Sequence, residues 1–140
     1  LIVVDTSVLV DFFRGNLTVQ VRNLRRLERE EIPYAIPAVC CQEVLQGAVD
    51  EEEWDRLHSY FADQEILVPA EPWSVHVSAA RIYFDCRRRG ITIGSAVDCL
   101  VAQLVLEDDN VLLHSDEDFE RMKQVRPLRT LFEEPVLPST

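Results

Sequence analysis

Short runs of aliphatic residues alternate along this chain with longer stretches in which apolar positions recur every three or four residues. The first kind of run reads as buried strand and the second as amphipathic helix. The alternation predicts an α/β domain with a mostly parallel sheet covered by helices. Leu1-Ile2-Val3-Val4 predicts a buried strand ended by Asp5, and Thr6-Ser7 then offers an N-cap for a short helix to about Phe13, closed by Gly15. Val21, Leu24 and Leu27, with arginines between them, predict a helix over 19–31. Tyr34-Ala35-Ile36 predicts the second strand; Pro37 suits the first turn of a helix that runs to about Gln46 and stops at Gly47. A helix over 51–62 opens with acidic residues, where the helix dipole favours them. Ile66-Leu67-Val68 predicts the third strand, bounded by Pro69. A long helix over 74–89 carries Val77, Ala80, Ile82 and Phe84 and stops at Gly90. Then follow a nearly all-apolar helix over 96–106, a fourth strand over 111–113, a short helix over 116–122 and a candidate edge strand over 128–131. No repeat, low-complexity tract or linker interrupts the pattern. Residues 1–134 are therefore expected to form one domain and residues 135–140 an irregular tail.

Composition narrows the class without naming a function. With 47% hydrophobic and 28% charged residues in a chain of 140, the protein can bury a core and is not a disordered segment. No apolar run approaches the length of a membrane span, so no membrane association is expected. The residues ahead of Asp5 are too few for a secretory leader, and a cytoplasmic location is the expectation. Cys40, Cys41, Cys86 and Cys99 show no zinc-ligand spacing and read as small hydrophobes.

The net charge of −11 opposes binding of a polyanion at long range. Two local devices could reverse that sign. A divalent cation inverts the field of a carboxylate cluster. Arginine, which supplies every basic residue except Lys123, presents a forked face that matches phosphate, and it concentrates at Arg22, Arg25, Arg26 and Arg29 and at Arg87-Arg88-Arg89. The same clusters also fit solvated helix faces.

Most acidic residues lie in polar stretches, but four stand in apolar ones. Asp5 ends a run of four aliphatic residues. Glu43 lies in the apolar helix that follows Pro37. Asp98 is the only charged residue between Gly90 and Glu107, and Asp116 comes just past the strand Val111-Leu112-Leu113. Burying an unpaired carboxylate costs several kcal/mol. None of the four apolar segments contains a Lys or Arg to offset that cost. Each residue alone has a structural explanation: Asp5, Asp98 and Asp116 as helix caps, Glu43 as a salt-bridge partner. Jointly they point to a hard divalent cation, Mg²⁺ or Mn²⁺, with oxygen ligands. In an open parallel sheet a ligand sits beyond the carboxyl ends of the strands, where strand order reverses. If the strands before Asp5 and Asp116 are neighbours, their carboxylates share that crevice, and Glu43 and Asp98 can reach it from flanking helices.

These segments resemble the PIN-domain nucleases, and within them the VapC-type toxins of bacterial toxin–antitoxin pairs. The resemblance is carried by Val4-Asp5-Thr6-Ser7-Val8-Leu9, by Gln42-Glu43-Val44-Leu45-Gln46-Gly47, by residues 90–102 around Asp98, and by Leu112-Leu113-His114-Ser115-Asp116-Glu117-Asp118-Phe119. It implies a three-layer α/β/α domain with Asp5, Glu43, Asp98 and Asp116 as catalytic metal ligands and Thr6, Ser7 and Asp118 in support. It also implies endoribonuclease activity on structured RNA such as tRNA, a homodimer, and a VapB-type antitoxin that blocks the acidic site. The family commonly carries Thr two residues before the fourth acid, where this chain has His114. That departure leaves open the hydrogen bonding there and the division of roles between Asp116 and Asp118. His114 reads as a polar loop residue, with proton transfer as its other role. The rival readings are a PIN-like interaction module without activity, and a Mg²⁺-dependent phosphatase with Asp5 as nucleophile. The phosphatase would need a second Asp where Ser7 stands.

Overall fold

A computed structural model describes residues 1–131. The notional tail over 135–140 lies outside the described residues. Four short strands, β1 (Ile2–Val4), β2 (Tyr34–Pro37), β3 (Glu65–Leu67) and β4 (Val111–Leu113), form a sheet of order β3-β2-β1-β4 in which every pairing is parallel. Helices α1 (Thr6–Phe13) and α2 (Val19–Arg29) join β1 to β2, and α3 (Ala38–Leu45) and α4 (Glu51–Ala62) join β2 to β3. Helices α5 (Pro72–Arg88) and α6 (Ala96–Glu107) return the chain to β4, and α7 (Glu117–Met122) follows it. Crossovers between parallel strands are right-handed. The first two step one way across the sheet and the third steps back. This puts α1 to α4 on one face and α5 and α6 on the other, the expected three layers.

The central strands are aliphatic on both faces because both are covered: Val3, Val4, Ile36, Leu112 and Leu113 are all fully buried. The edge strand β3 behaves differently. It begins one residue earlier than its apolar run suggests, with Leu67 opposite Pro37, and Val68 beyond it is 61% exposed. Pro37 ends β2 rather than opening the helix, since a residue without an N–H loses no ladder bond at a strand terminus. Residues 128–131 contribute a single parallel bridge, Leu112 to Thr130, in place of a strand.

Helix α5 shows the largest departure from its sequence pattern. Its buried face is Val75, Ala79, Ile82 and Cys86, whereas Val77 and Phe84 are exposed and Ala80 faces outward. The helix has two apolar stripes, and packing against α6 selects the one spaced four, three and four residues apart. All four cysteines are free and buried, as small hydrophobes would be. Among the described residues, no helix is long and apolar enough to cross a membrane.

Candidate metal centre

The reversal of strand order falls between β1 and β4, which pair in parallel with Val4 opposite Leu113. Asp5 follows β1 directly, and its backbone N–H donates to the Leu113 carbonyl at 3.0 Å. Asp116 lies three residues past β4. The two strand ends are stitched by Ser7: its hydroxyl donates to Asp5 Oδ2 at 2.7 Å and accepts the Ser115 N–H at 2.9 Å. The Ser7 amide adds a second donor to Asp5 Oδ2 at 3.0 Å, so Asp5 is also the N-cap of α1. Asp116 likewise caps α7, accepting the Asp118 N–H at 2.9 Å. For these two residues capping and site chemistry coexist, because a carboxylate has two oxygens and the cap uses one.

Asp98 is not a cap. Ser95 caps α6, and Asp98 stands in the first turn, where the helix dipole favours a carboxylate. Glu43 is half-buried on α3, and Thr6 Oγ1 donates to its Oε1 at 2.7 Å. Among the described residues, none of Asp5, Glu43, Asp98 and Asp116 forms an ion pair, so arginines do not account for their placement.

Electrostatics places these side chains in one field. Burial, followed by the charges of Asp5, Asp116, Asp118 and Glu43, pushes the Asp98 carboxyl up to about 8. Asp5 is 3% exposed, and burial raises it too; its hydrogen bonds from Ser7 and the Thr6 backbone counteract this, and the Glu43 charge adds to it. The Cys40 thiol, held protonated chiefly by burial, donates weakly to Asp5 Oδ1 at 3.8 Å.

The tightest set of oxygens is not the one singled out from sequence. Asp98, Asp116 and Asp118 each offer an oxygen within 4.8 Å of the others. Asp118, given only a supporting place above, is therefore a full member of the cluster. It is also restrained: Gly94 N–H donates to its Oδ2 at 2.8 Å and Arg121 Nη1 to its Oδ1 at 2.6 Å. The spacing of Asp118 and Arg121, three residues apart on a helix, was the available sign of that pairing. An all-oxygen set with unpaired charge suits a hard divalent cation and suits a soft metal poorly.

His114 is not a solvated loop residue. It is fully buried against the Phe119 ring, with centroids 5.0 Å apart. Its Nδ1 accepts the Asp116 N–H at 3.1 Å, which leaves Nε2 to donate to Glu120 Oε2 at 2.7 Å. His114 thus fixes the backbone that presents Asp116. Burial of Glu120 favours its neutral form, but hydrogen bonds from Lys123, His114 and Thr130 outweigh it and leave its pKa lowered.

A model of the PIN domain matches residues 2–125 of this chain. Two mycobacterial proteins, VapC ribonuclease Mb1587 of Mycobacterium bovis and ribonuclease VapC11 of Mycobacterium tuberculosis, are each 34% identical to it over 139 residues, covering 92% of this chain and 96% of theirs. The chain belongs to the PIN-domain family, in its VapC-type branch. Solved structures share the fold at lower identity. VapBC2 from Rickettsia felis, bound to a DNA fragment from its promoter, superposes with a TM-score of 0.71 at 17% identity, covering 92% of this chain and 96% of that one. FitAcB from Neisseria gonorrhoeae gives 0.68 at 16% identity, covering 98% and 100%.

Proposed function

We propose that this protein is a divalent-metal-dependent endoribonuclease, the toxin of a cytoplasmic toxin–antitoxin pair. The observation that carries the reading is a cluster of acids, Asp98, Asp116 and Asp118, of which only Asp118 has a cationic partner among the described residues, and in which burial and the neighbouring acids push the Asp98 carboxyl up to about 8. Carboxylates that burial and one another's charges disfavour in the ionised form are poised for a cation. Asp5, Glu43, Asp98 and Asp116 would hold Mg²⁺ or Mn²⁺, with Asp118 contributing the oxygen that Arg121 leaves available. When bound, the ion supplies Lewis-acid polarisation of a phosphate oxygen and a more acidic water.

The chain's own groups do the remaining work. Thr6 fixes one oxygen of Glu43, which leaves Oε2 to orient the attacking water and accept its proton. Ser7 and Cys40 hold Asp5 from both sides. Arg14 and Arg56, which line a groove of about 390 Å³ together with Glu43, give the phosphate backbone cations beside the acids. In-line attack by water leaves a 5′-phosphate and a 3′-hydroxyl and makes no use of the RNA 2′-hydroxyl.

The reading extends to structured RNA such as tRNA as substrate, to a homodimer, and to a VapB-type antitoxin that puts a cationic side chain into the acidic pocket. The ribonuclease names of the mycobacterial relatives support RNA as substrate, and the VapBC assembly of the Rickettsia felis neighbour supports a VapB-type partner. A phosphatase reading fares poorly, since Ser7 stands where a second Asp is needed and its hydroxyl is committed to Asp5. The test is cleavage of total RNA with added Mn²⁺, with the new ends mapped, for the wild type and Asp5→Ala. Cleavage to 5′-phosphate ends by the wild type alone is expected. Ends carrying a 2′,3′-cyclic phosphate, or equal cleavage by both proteins, would overturn the mechanism.

A further inference from the structure

An acidic protein that cuts RNA must hold a polyanion against its own field, and the acidic centre accounts for only one phosphate. A second feature, away from that centre, addresses the remainder. The last turns of α5 and the segment just after α7 enclose a groove of about 650 Å³ lined by Arg81, Phe84, Asp85, Arg88, Arg89 and Arg126. Four arginines against one aspartate is an unusual concentration in a chain of net charge −11.

The groove is organised by contacts within the protein. The Arg81 guanidinium lies 4.7 Å from the Phe84 ring centroid and that of Arg88 5.6 Å from the same ring. Phe84 stays 36% exposed, outside the stripe that packs on α6. Asp85 is bridged by Arg81 Nε at 3.1 Å and Arg126 Nη2 at 2.9 Å, so it positions two cations without balancing four. Arg89 Nη1 reaches across to the Gln124 carbonyl at 2.7 Å. Among the described residues, Arg88 has no ion pair. Of the four, Arg81 alone pairs, among the described residues, with an acid one turn away on its own helix. Here the guanidiniums are held in place with edge N–H groups to spare, which reduces the ordering cost of gripping an anion.

We propose that this groove is an exosite for the phosphodiester backbone of the RNA, engaging the strand a few nucleotides from the scissile bond; the proposal rests on the ribonuclease reading above. Helix α7 links the two places. Asp116 and Asp118 mark its start at the acidic centre, and Arg126 follows its end. Six helical residues at a rise of 1.5 Å span about 9 Å, on the order of three nucleotides at roughly 3.4 Å of axial rise. An exposed aromatic ring among guanidiniums also suits an unstacked base. An acidic protein segment would use the charge but not that ring, so RNA is the better fit.

The test measures binding of a labelled RNA hairpin to the full chain carrying Asp98→Asn in Mg²⁺, with and without Arg88→Ala, across a salt series. Arg88 is exposed and unbridged, so the variant should fold, as its Tm will report. The expected result is affinity several-fold lower at low salt, with the slope of log affinity against log salt shallower by about 0.7–0.9, one phosphate contact. Arg88→Lys should restore the slope. On the Asp98 background of the wild type, Arg88→Ala should leave hydrolysis of a nitrophenyl phosphodiester, too short to reach the groove, unchanged. An unaltered slope and affinity overturn the exosite. So does loss of polyglutamate binding, rather than RNA binding, on Arg88→Ala, which assigns the groove to an acidic protein partner. Failure of the wild type to hydrolyse either RNA or the small ester would strike the nuclease reading, and the slope comparison would still decide whether the groove grips RNA.

Discussion

Replacing Asp98 with Asn keeps the shape of the side chain and removes its charge from a cluster that repels it. For the metal-free protein the sign follows from proton binding. The unfolded chain releases the Asp98 proton near the ordinary 3.8, whereas the folded chain keeps it to about 8. Between those values the folded state binds more protons, so this carboxyl's contribution to stability is fully present below about pH 4 and is lost as pH rises through about 8. At about 1.4 kcal/mol per pH unit the rise caps the loss at roughly 5–6 kcal/mol, and solvent screening of a partly exposed group reduces the expectation to about 2 kcal/mol. Asp98→Asn should therefore match wild-type stability at pH 4 and exceed it by about 2 kcal/mol at pH 9 in EDTA, measured by urea denaturation. Saturating Mn²⁺ should remove the advantage by stabilising the wild type more. A variant less stable than wild type at every pH, or a difference independent of pH, would refute the electrostatic argument.

Three other substitutions probe the supports of the cluster. Ser7→Ala leaves a buried carboxylate and the Ser115 N–H each short of a partner, and should cost about 1–3 kcal/mol by denaturant titration at pH 7. Thr6→Val frees Glu43 to reorient and should slow RNA cleavage by about 10-fold, with a stability change near 1 kcal/mol or less; Thr6→Ser should recover most of the rate. Arg121→Gln removes the cation paired with Asp118 and should tighten Mn²⁺ binding a few-fold, by roughly 0.5–1 kcal/mol, as read by calorimetry.

The end of β1 was readable because a run of aliphatic residues stopped by Asp5 marks where a buried strand terminates, whereas the edge strand β3 was displaced by one residue from its apolar run. The meeting of Asp5 and Asp116 was readable only conditionally, since β1 and β4 become neighbours through a crossover that no local pattern encodes. Asp98 was conspicuous as a lone charge in an apolar helix. Asp118 was not, because it lies in the polar run Asp116-Glu117-Asp118, and only its packing toward Gly94 and Arg121 sets it apart. His114 was misread for a related reason. Its burial comes from Phe119 and Glu120 of α7, which folds back over the end of β4. On α5 the sequence offers two apolar stripes of similar strength, and only contact with α6 chooses between them.

The most direct measurement is a calorimetric titration of Mn²⁺ into the metal-free protein at about pH 5, repeated in buffers of different ionisation enthalpy. Saturable binding that releases most of one proton is expected, because the raised Asp98 carboxyl still holds its proton at that pH until the cation arrives, and both binding strength and proton release should fall sharply in Asp98→Asn. Absence of saturable binding, or equal binding without proton release in the two proteins, would contradict the claim that these carboxylates form one cation site.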